Sequence, residues 1–364
     1  MLWLLLSCSK TPKTPGVLLV TLDTWRADHF SEALTPEAWA VGERGARFSD
    51  AWSPMGLTTP AHATILTGDL PPGHGLRANN HHGYALAEDA VTVAERFREA
   101  GWASAAFVSA YPAGPEGGMT QGFEVFSGPD SGERPTAETL AEARAWLDQQ
   151  GAPWFLWVHA YDPHGPYEPL DWDGEDSDKA RYAGEVRQAD RLLGPLVREA
   201  LARGSHVIWT SDHGEVLDEE KCGVQHERSS HEVVLRVPLV VAGPGVSRGP
   251  VDRRVGLSEV GPTLLHLAGL EDPRADLFTV ERTVWVGESG MCDPRCTSGC
   301  APEGVLGKDR VVHGPDSKLV DRPGVGLLGD HALAPHLLEW PVPSGAPTGT
   351  VEADQARALG YMDP

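Results

Sequence analysis

Positive charge is scarce in this chain. Its 364 residues carry 30 Lys and Arg against 52 Asp and Glu, a formal net charge of -22. Such an acidic surface excludes nucleic acid, or an anionic membrane face, as the main partner. Any anionic ligand must be drawn in locally, by a metal ion or a few basic groups. Long apolar runs are missing too, so no segment is expected to span a membrane. Internal repeats and low-complexity blocks are absent. Cysteine is sparse, at five residues: Cys8, Cys222, Cys292, Cys296 and Cys300. Three of them fall in MCDPRCTSGCAPEG, whose Gly, Pro and Asp content makes it a loop and whose C-x3-C-x3-C spacing matches no familiar zinc site. Outside the cytoplasm the last four would suit two disulfides, with three pairings open.

The first residues, MLWLLLSCSKTPKTP, read as a processing segment, although a basic stretch before the short apolar run is lacking. The run ends in Leu-Leu-Ser-Cys, which resembles the lipobox of bacterial lipoproteins. That resemblance implies lipidation at Cys8, membrane contact only through the lipid anchor, and an extracytoplasmic place in the periplasm or at the outer membrane. The competing reading is a stray cysteine in a ragged terminus.

What the chain does have is a regular alternation of apolar strands and amphipathic helices from Gly16 onward, which points to an α/β fold with a largely parallel sheet. Strands are expected at Val17 to Leu22, Ala103 to Val108, Trp154 to Ala160, His206 to Ser211 and Val237 to Gly243. Helices are expected around Val91 to Ala100, Thr136 to Gln150 and Ala180 to Ala202. The length suits one large α/β domain or two ordinary ones, and 41 Gly with 30 Pro imply many loops.

Chemistry-bearing residues follow three of these strands. Asp23 comes after the first, His159, Asp162 and His164 after the Trp154 strand, and Asp212 and His213 after the His206 strand. A lone Asp there is commonly a turn or cap residue. Three clusters at equivalent strand ends are a different matter, because open α/β sheets bind ligands outside the carboxyl ends of their strands. Carboxylate oxygen combined with imidazole nitrogen suits one divalent ion, Zn or Mn before Ca or Mg.

One stretch poses its own question. GLTTPAHATILTG, Gly56 to Gly68, sets two hydroxyls at the mouth of a short apolar helix. Pro60 suits the first helical position and Thr59 the cap. Thr58 is left just outside, where helix N–H groups could help hold an anion. Both threonines could instead serve only to start the helix.

VLLVTLDTWRADH, TTPAHATILTGDLPPGHGLRAN, WVHAYDPHGPYEP, VIWTSDHGE, LRVPLVVAGPG and PTLLHLAG together resemble the sulfatases of the alkaline phosphatase superfamily, and the tail EADQARALGY resembles the family's ending. The resemblance implies an alkaline-phosphatase-like three-layer α/β sandwich with a mostly parallel central sheet and a small C-terminal subdomain. It divides the chain into a signal and linker at 1–15, a catalytic domain at 16–275, and a C-terminal part at 276–364 with the Cys-rich loop and a C-terminal helix. It also implies an enzyme acting on sulfuric or phosphoric esters, with a small-molecule, glycan or lipid ester as substrate.

In sulfatases the nucleophile is a Cys or Ser in C/S-x-P-S-R that is converted to formylglycine. Here Thr58 stands at that position, with Pro60, Ala61 and His62 following, and threonine cannot be converted. Other branches of the superfamily use threonine itself, and their single-ion shell maps onto Asp23, Thr58, Asp212 and His213. The resemblance places His164 and His226 near the transferring group and His62 in support of the nucleophile. It makes Arg77, Asn79 and Asp162 substrate contacts, or parts of a second metal site. The family's GEH reads Asp218-Glu219-Glu220 here, and Lys221 is the candidate for the lost positive charge. These departures leave a second possibility, a decayed lipoprotein that binds a glycan or cell-wall polymer without turning it over.

Overall fold

The computed structural model describes residues 15–79, 85–151, 153–170, 172–219, 225–290, 309–322 and 326–340. Cys8, the other four cysteines, Lys221 and the tail EADQARALGY lie outside these residues, and with them the expected lipidation, disulfides, lysine contact and C-terminal helix.

The main sheet is built from β1 (Gly16–Leu22), β2 (Ala46–Trp52), β3 (Ala103–Val108), β4 (Val125–Ser127), β5 (Trp154–Ala160), β6 (His206–Thr210), β7 (Arg236–Ala242) and β8 (Gly249–Gly256). Their order is β4-β3-β5-β1-β6-β7-β2-β8, with β7 alone running against its neighbours. A second, four-stranded antiparallel sheet is formed by β9 (Trp285–Glu288), β10 (Arg310–His313), β11 (Lys318–Arg322) and β12 (Gly326–Gly329). It is the small C-terminal subdomain.

The helices are α1 (Pro36–Arg44), α2 (Thr58–Thr67), α3 (Pro71–His74), α4 (Val93–Glu99), α5 (Thr136–Leu147), α6 (Asp178–Ala202), α7 (Glu232–Leu235) and α8 (Val260–Leu267). Side chains alternate across a strand, and β1 shows what that does. Val17 and Leu19 pack in one cluster with Ala61 and Ile65 of α2, Phe97 of α4 and Leu264 of α8. Leu18, Val20 and Leu22 pack in the other with Val41 of α1, Leu140 of α5 and Leu193 of α6. A continuous apolar strand is thus covered on both faces, which gives the three layers.

Register then fixes the working edge. β1 lies between β5 and β6, with Thr21 opposite His159 on one side and Thr210 on the other. The residues just past β1 and β6, Asp23 and Asp212, therefore emerge side by side. The strands β2, β4 and β8 fell outside the sequence pattern because their faces alternate or are partly exposed.

His74, closing α3, is locked in a neutral form. Its Nδ1 accepts the Leu76 amide at 3.1 Å. Its Nε2 faces Thr64 Oγ1 at 3.0 Å, and since that hydroxyl gives its own proton to the Pro60 carbonyl, Nε2 must donate. Burial, with the Arg77 charge adding to it, pushes His74 down to about 3. The unfolded imidazole titrates near 6.5, so the unfolded chain takes up this proton first as pH falls. Stability is full above about 6.5 and is lost progressively towards 3. Urea unfolding between pH 6 and 4 should show His74→Gln losing less stability per pH unit than the wild type, by about 1.4 kcal/mol, the worth of one proton. Identical slopes would show that His74 is not among the groups that titrate.

Candidate active site

Three strand ends and one helix start converge. Asp23 follows β1, and its amide continues the ladder by donating to the Ala160 carbonyl at 2.9 Å. Asp212 and His213 follow β6. Gly214, next in line, must be glycine because a Cβ there would run into the Val233 carbonyl. Among the described residues, Asp23, Asp212 and His213 form a group whose ligating atoms all lie within 4.8 Å of one another, and all three side chains are fully buried.

Their hydrogen bonds leave one side open. Asp212 Oδ1 accepts the His213 amide at 2.8 Å and the Thr24 amide at 3.3 Å, while Oδ2 has no hydrogen-bond partner. His213 Nδ1 donates to the Gly214 carbonyl at 3.0 Å, which fixes the tautomer and leaves Nε2 as an unpartnered lone pair. Asp23 Oδ1 is unpartnered too. Buried polar atoms are rarely left in this state. Each of the three residues offers a ligating atom within 4.8 Å of the others, and each carries one orphaned atom, so together they fit a divalent cation. The mixed O/N set suits Zn or Mn better than Ca.

Burial and mutual charge both act on these groups. Burial raises Asp23, against the pull of His213 and His164. Burial also raises Asp212, with Asp23 adding to the effect. For His213, burial favours the neutral ring, but Asp212 and Asp23 outweigh it and raise its pKa.

Thr58 opens α2 at 2% exposure and donates its hydroxyl to Asp23 Oδ2 at 3.4 Å. The cap differs from expectation. Leu57 holds the cap position without a side-chain bond, and Thr59 Oγ1 turns to the Pro112 carbonyl at 2.6 Å. Asn79 does the capping from outside the helix, its Oδ1 accepting the Thr59 amide at 3.0 Å. That amide is therefore already engaged, rather than left over for an anion.

His62 lies one turn into α2, fully buried behind the hydroxyl. Its Nδ1 donates to the Thr58 carbonyl at 2.8 Å, and its Nε2 meets Thr21 Oγ1 at 3.0 Å. Burial, with His159 as the next cause, pushes it down to about 3, so it is neutral and braces Thr58 by hydrogen bonding rather than by charge. His226 stacks on His213 at 4.6 Å and meets His164 edge-on at 5.1 Å. Its Nδ1 faces both oxygens of buried Glu215, at 3.2 and 3.3 Å. His164 stacks on Tyr161 and donates from Nδ1 to the Gly165 carbonyl at 2.8 Å.

The other expected contacts are engaged elsewhere. Arg77 is tied to Glu288 of β9 at 2.5 Å. Asp162 accepts from Thr136 at the start of α5 and from Gln188 of α6. Arg77, Asn79 and Asp162 are therefore not assembled as a second ion site. Sequence reasoning passed over Glu215, although it stands in SDHGE, and it had no signal for Glu288, which lies far along the chain in a strand of its own.

Asp23, Asp212 and His213 thus form a buried O/N group at the strand ends of a sheet covered on both faces, beside a hydroxyl at a helix start. The sulfatase family model matches residues 15–270, well over half of the chain, and the protein belongs to that family. Arylsulfatase K of Bos taurus is 27% identical over 168 residues, covering 41% of this chain and only 31% of that protein. Choline-sulfatase of Rhizobium meliloti is 22% identical over 360 residues, covering 71% and 69%. Among solved structures, the phosphonate monoester hydrolase SpPMH of Silicibacter pomeroyi superposes with a TM-score of 0.66 at 18% identity, covering 90% of this chain and 93% of that one. Ps i-CgsB in complex with k-i-k-neocarrahexaose gives 0.71 at 17%, covering 95% and 98%. At these identities the structures show a shared fold.

Replacing Asn79 by Ala removes the acceptor of the Thr59 amide in a dry site. The expected cost is about 1 kcal/mol, that of losing a helix cap, read from urea unfolding. No change in stability would mean that the amide finds another acceptor.

Proposed function

We propose that this protein is a metal-dependent hydrolase or transferase of phosphorus or sulfur esters that uses Thr58 as its nucleophile. The observation that carries this reading is the Thr58 hydroxyl, donated at 3.4 Å to Asp23, whose second oxygen lies orphaned beside those of Asp212 and His213.

A divalent ion held by Asp23, Asp212 and His213 would lower the pKa of a nearby hydroxyl and offset the charge of an anionic ester. The residues supply the rest. Asp23 Oδ2 takes the proton as Thr58 Oγ1 bonds to phosphorus or sulfur. The bond to the departing alcohol breaks, and its oxygen takes up the proton that Asp23 Oδ2 received, so Asp23 is again a carboxylate. His226 and His164 both have Nδ1 committed, so Nε2 is the atom on each ring that can relay it. Water or an acceptor alcohol then attacks phosphorus or sulfur of the Thr58 ester, the bond to Thr58 Oγ1 breaks, and the attacking group's proton passes to Oγ1, which returns Thr58 to its starting state. His62 holds the Thr58 carbonyl throughout.

Charge narrows the substrate. Arg26 is bound to Asp28 and Glu219, and Arg77 to Glu288. Burial holds His62 at about 3 and His159 at about 4, and it lowers His164 and His226 as well. Among the described residues, little positive charge beyond the ion itself is thus left to meet a dianion. Monoanionic esters fit: sulfate monoesters, phosphodiesters and phosphonate monoesters, rather than phosphate monoesters. The convergence of orphaned donors gives no support to a decayed binding protein.

Two measurements test this reading. Zn or Mn should raise the melting temperature of the metal-free protein, and Asp212→Asn should remove most of that rise; no shift with any divalent ion would sink the metal site. With ion present, aryl phosphodiester or phosphonate turnover should exceed aryl phosphate turnover at least tenfold. Thr58→Ala should lower it by roughly a thousandfold or more, about 4 kcal/mol of barrier, while Thr58→Ser keeps a measurable rate. Undiminished turnover in Thr58→Ala would remove threonine from the mechanism.

A further inference from the structure

Among the described residues, one non-glycine has a positive φ: Thr24, at +50°. A β-branched residue in the left-handed region is a genuine outlier, and such strain survives only where the surroundings impose it. Here they do so on three sides. The Thr24 hydroxyl donates to the Pro163 carbonyl at 2.9 Å. The Thr24 carbonyl accepts the Tyr182 hydroxyl of α6 at 2.6 Å, and that same oxygen of Tyr182 accepts the Arg26 amide at 2.9 Å. The Thr24 amide donates to Asp212 Oδ1 at 3.3 Å. Next along, the Trp25 amide donates to Ser211 Oγ at 3.0 Å.

These bonds join the carriers of three site residues through one position. Thr24 follows Asp23, touches Asp212, and ties down the carbonyl just before His164. With its amide and that of His213 both on Oδ1, the Asp212 carboxylate can present only Oδ2 to the pocket. Rotation of φ back to the extended region would swing the Thr24 carbonyl off Tyr182 and the chain away from Asp212.

We propose that Thr24 is a positioning residue for the cation site, and that its left-handed backbone, clamped by its hydroxyl, aims Asp212 Oδ2 at the ion. This rests on the metal reading given above. Two classes of substitution separate backbone from side chain. Thr24→Ala and Thr24→Val remove the hydroxyl clamp but still disfavour the left-handed region. Thr24→Gly removes the clamp and adopts that region freely.

The test is the dissociation constant for Zn or Mn, measured by chelator competition on the full chain, with the melting temperature of the metal-free form recorded beside it. Ala and Val should bind at least tenfold more weakly, and Gly should stay within about threefold of wild type. The metal-free melting temperatures should not follow that order. Wild-type affinity in both Ala and Val overturns the proposal. Gly as weak as Ala overturns it as well, since the hydroxyl and not the conformation would then be what matters. Should Ala fail to fold, the comparison of Val with Gly decides. A wild type that binds neither ion defeats the metal reading itself, and this proposal with it.

Discussion

Two carboxylates, Asp23 and Asp212, are buried with no exposure within reach of one another, and much of the structure exists to hold them there. Burial and mutual repulsion both oppose their charged forms, and an uncompensated buried charge is among the costliest features a fold can carry. The sheet imposes the arrangement: β1 and β6 are neighbouring parallel strands in register, so the residues after them share one edge. Compensation is deliberately incomplete. Amides of Thr24 and His213 satisfy one oxygen of Asp212, and Thr58 satisfies one of Asp23. One oxygen of each is left bare, beside the bare nitrogen of His213. These bare atoms are the ones that the proposed cation would bind.

The histidines around it are arranged to stay neutral. Trp157 donates to Thr21 Oγ1 at 3.0 Å, and the same oxygen meets both His62 Nε2 and His159 Nδ1. Because His62 must give its Nδ1 proton to the Thr58 carbonyl, its Nε2 accepts from Thr21. His159 therefore donates its Nδ1 proton to Thr21. A single hydroxyl thus sets two tautomers and, through His62, holds the carbonyl of Thr58. A charged arginine at position 62 would hold the same place by ion pairing. Here the work is done by directed hydrogen bonds, so the net charge offered to a substrate is lower.

Much of this was legible in the sequence because it depends on patterns short in range. The buried strands Trp154–Ala160 and Ala103–Val108 are continuous apolar runs and fall where expected. Asp23, Asp212 and His213 follow such runs directly, so their shared edge could be inferred before any coordinates. What escaped depends on contacts between distant segments. Asn79 caps a helix that begins 21 residues earlier, and no local rule links an asparagine in one loop to an amide in another. Thr59 consequently looked like the cap. Thr24 gives no local sign of a left-handed backbone, since threonine is a poor choice for it, and only the bonds from Tyr182, Pro163 and Asp212 explain its presence. The second sheet was obscure because its strands are short and one of them, β12, is exposed along its length.

That second sheet has a mechanical connection to the site. Glu288, at the end of β9, is fully buried and holds Arg77 at 2.5 Å and the Trp340 indole at 2.6 Å. The guanidinium of Arg77 also lies 5.8 Å from the Trp340 ring centroid. Two residues beyond Arg77, Asn79 caps the helix that presents Thr58. The chain from Glu288 through Arg77 and Asn79 to the Thr59 amide is continuous, so the small subdomain fixes the loop that fixes the start of α2. An ion pair this deeply buried contributes little net stability, because desolvation offsets its attraction; its effect is on geometry. The Thr58 hydroxyl is thereby located by both sheets, from behind through His62 and Thr21 and from the side through Asn79, Arg77 and Glu288.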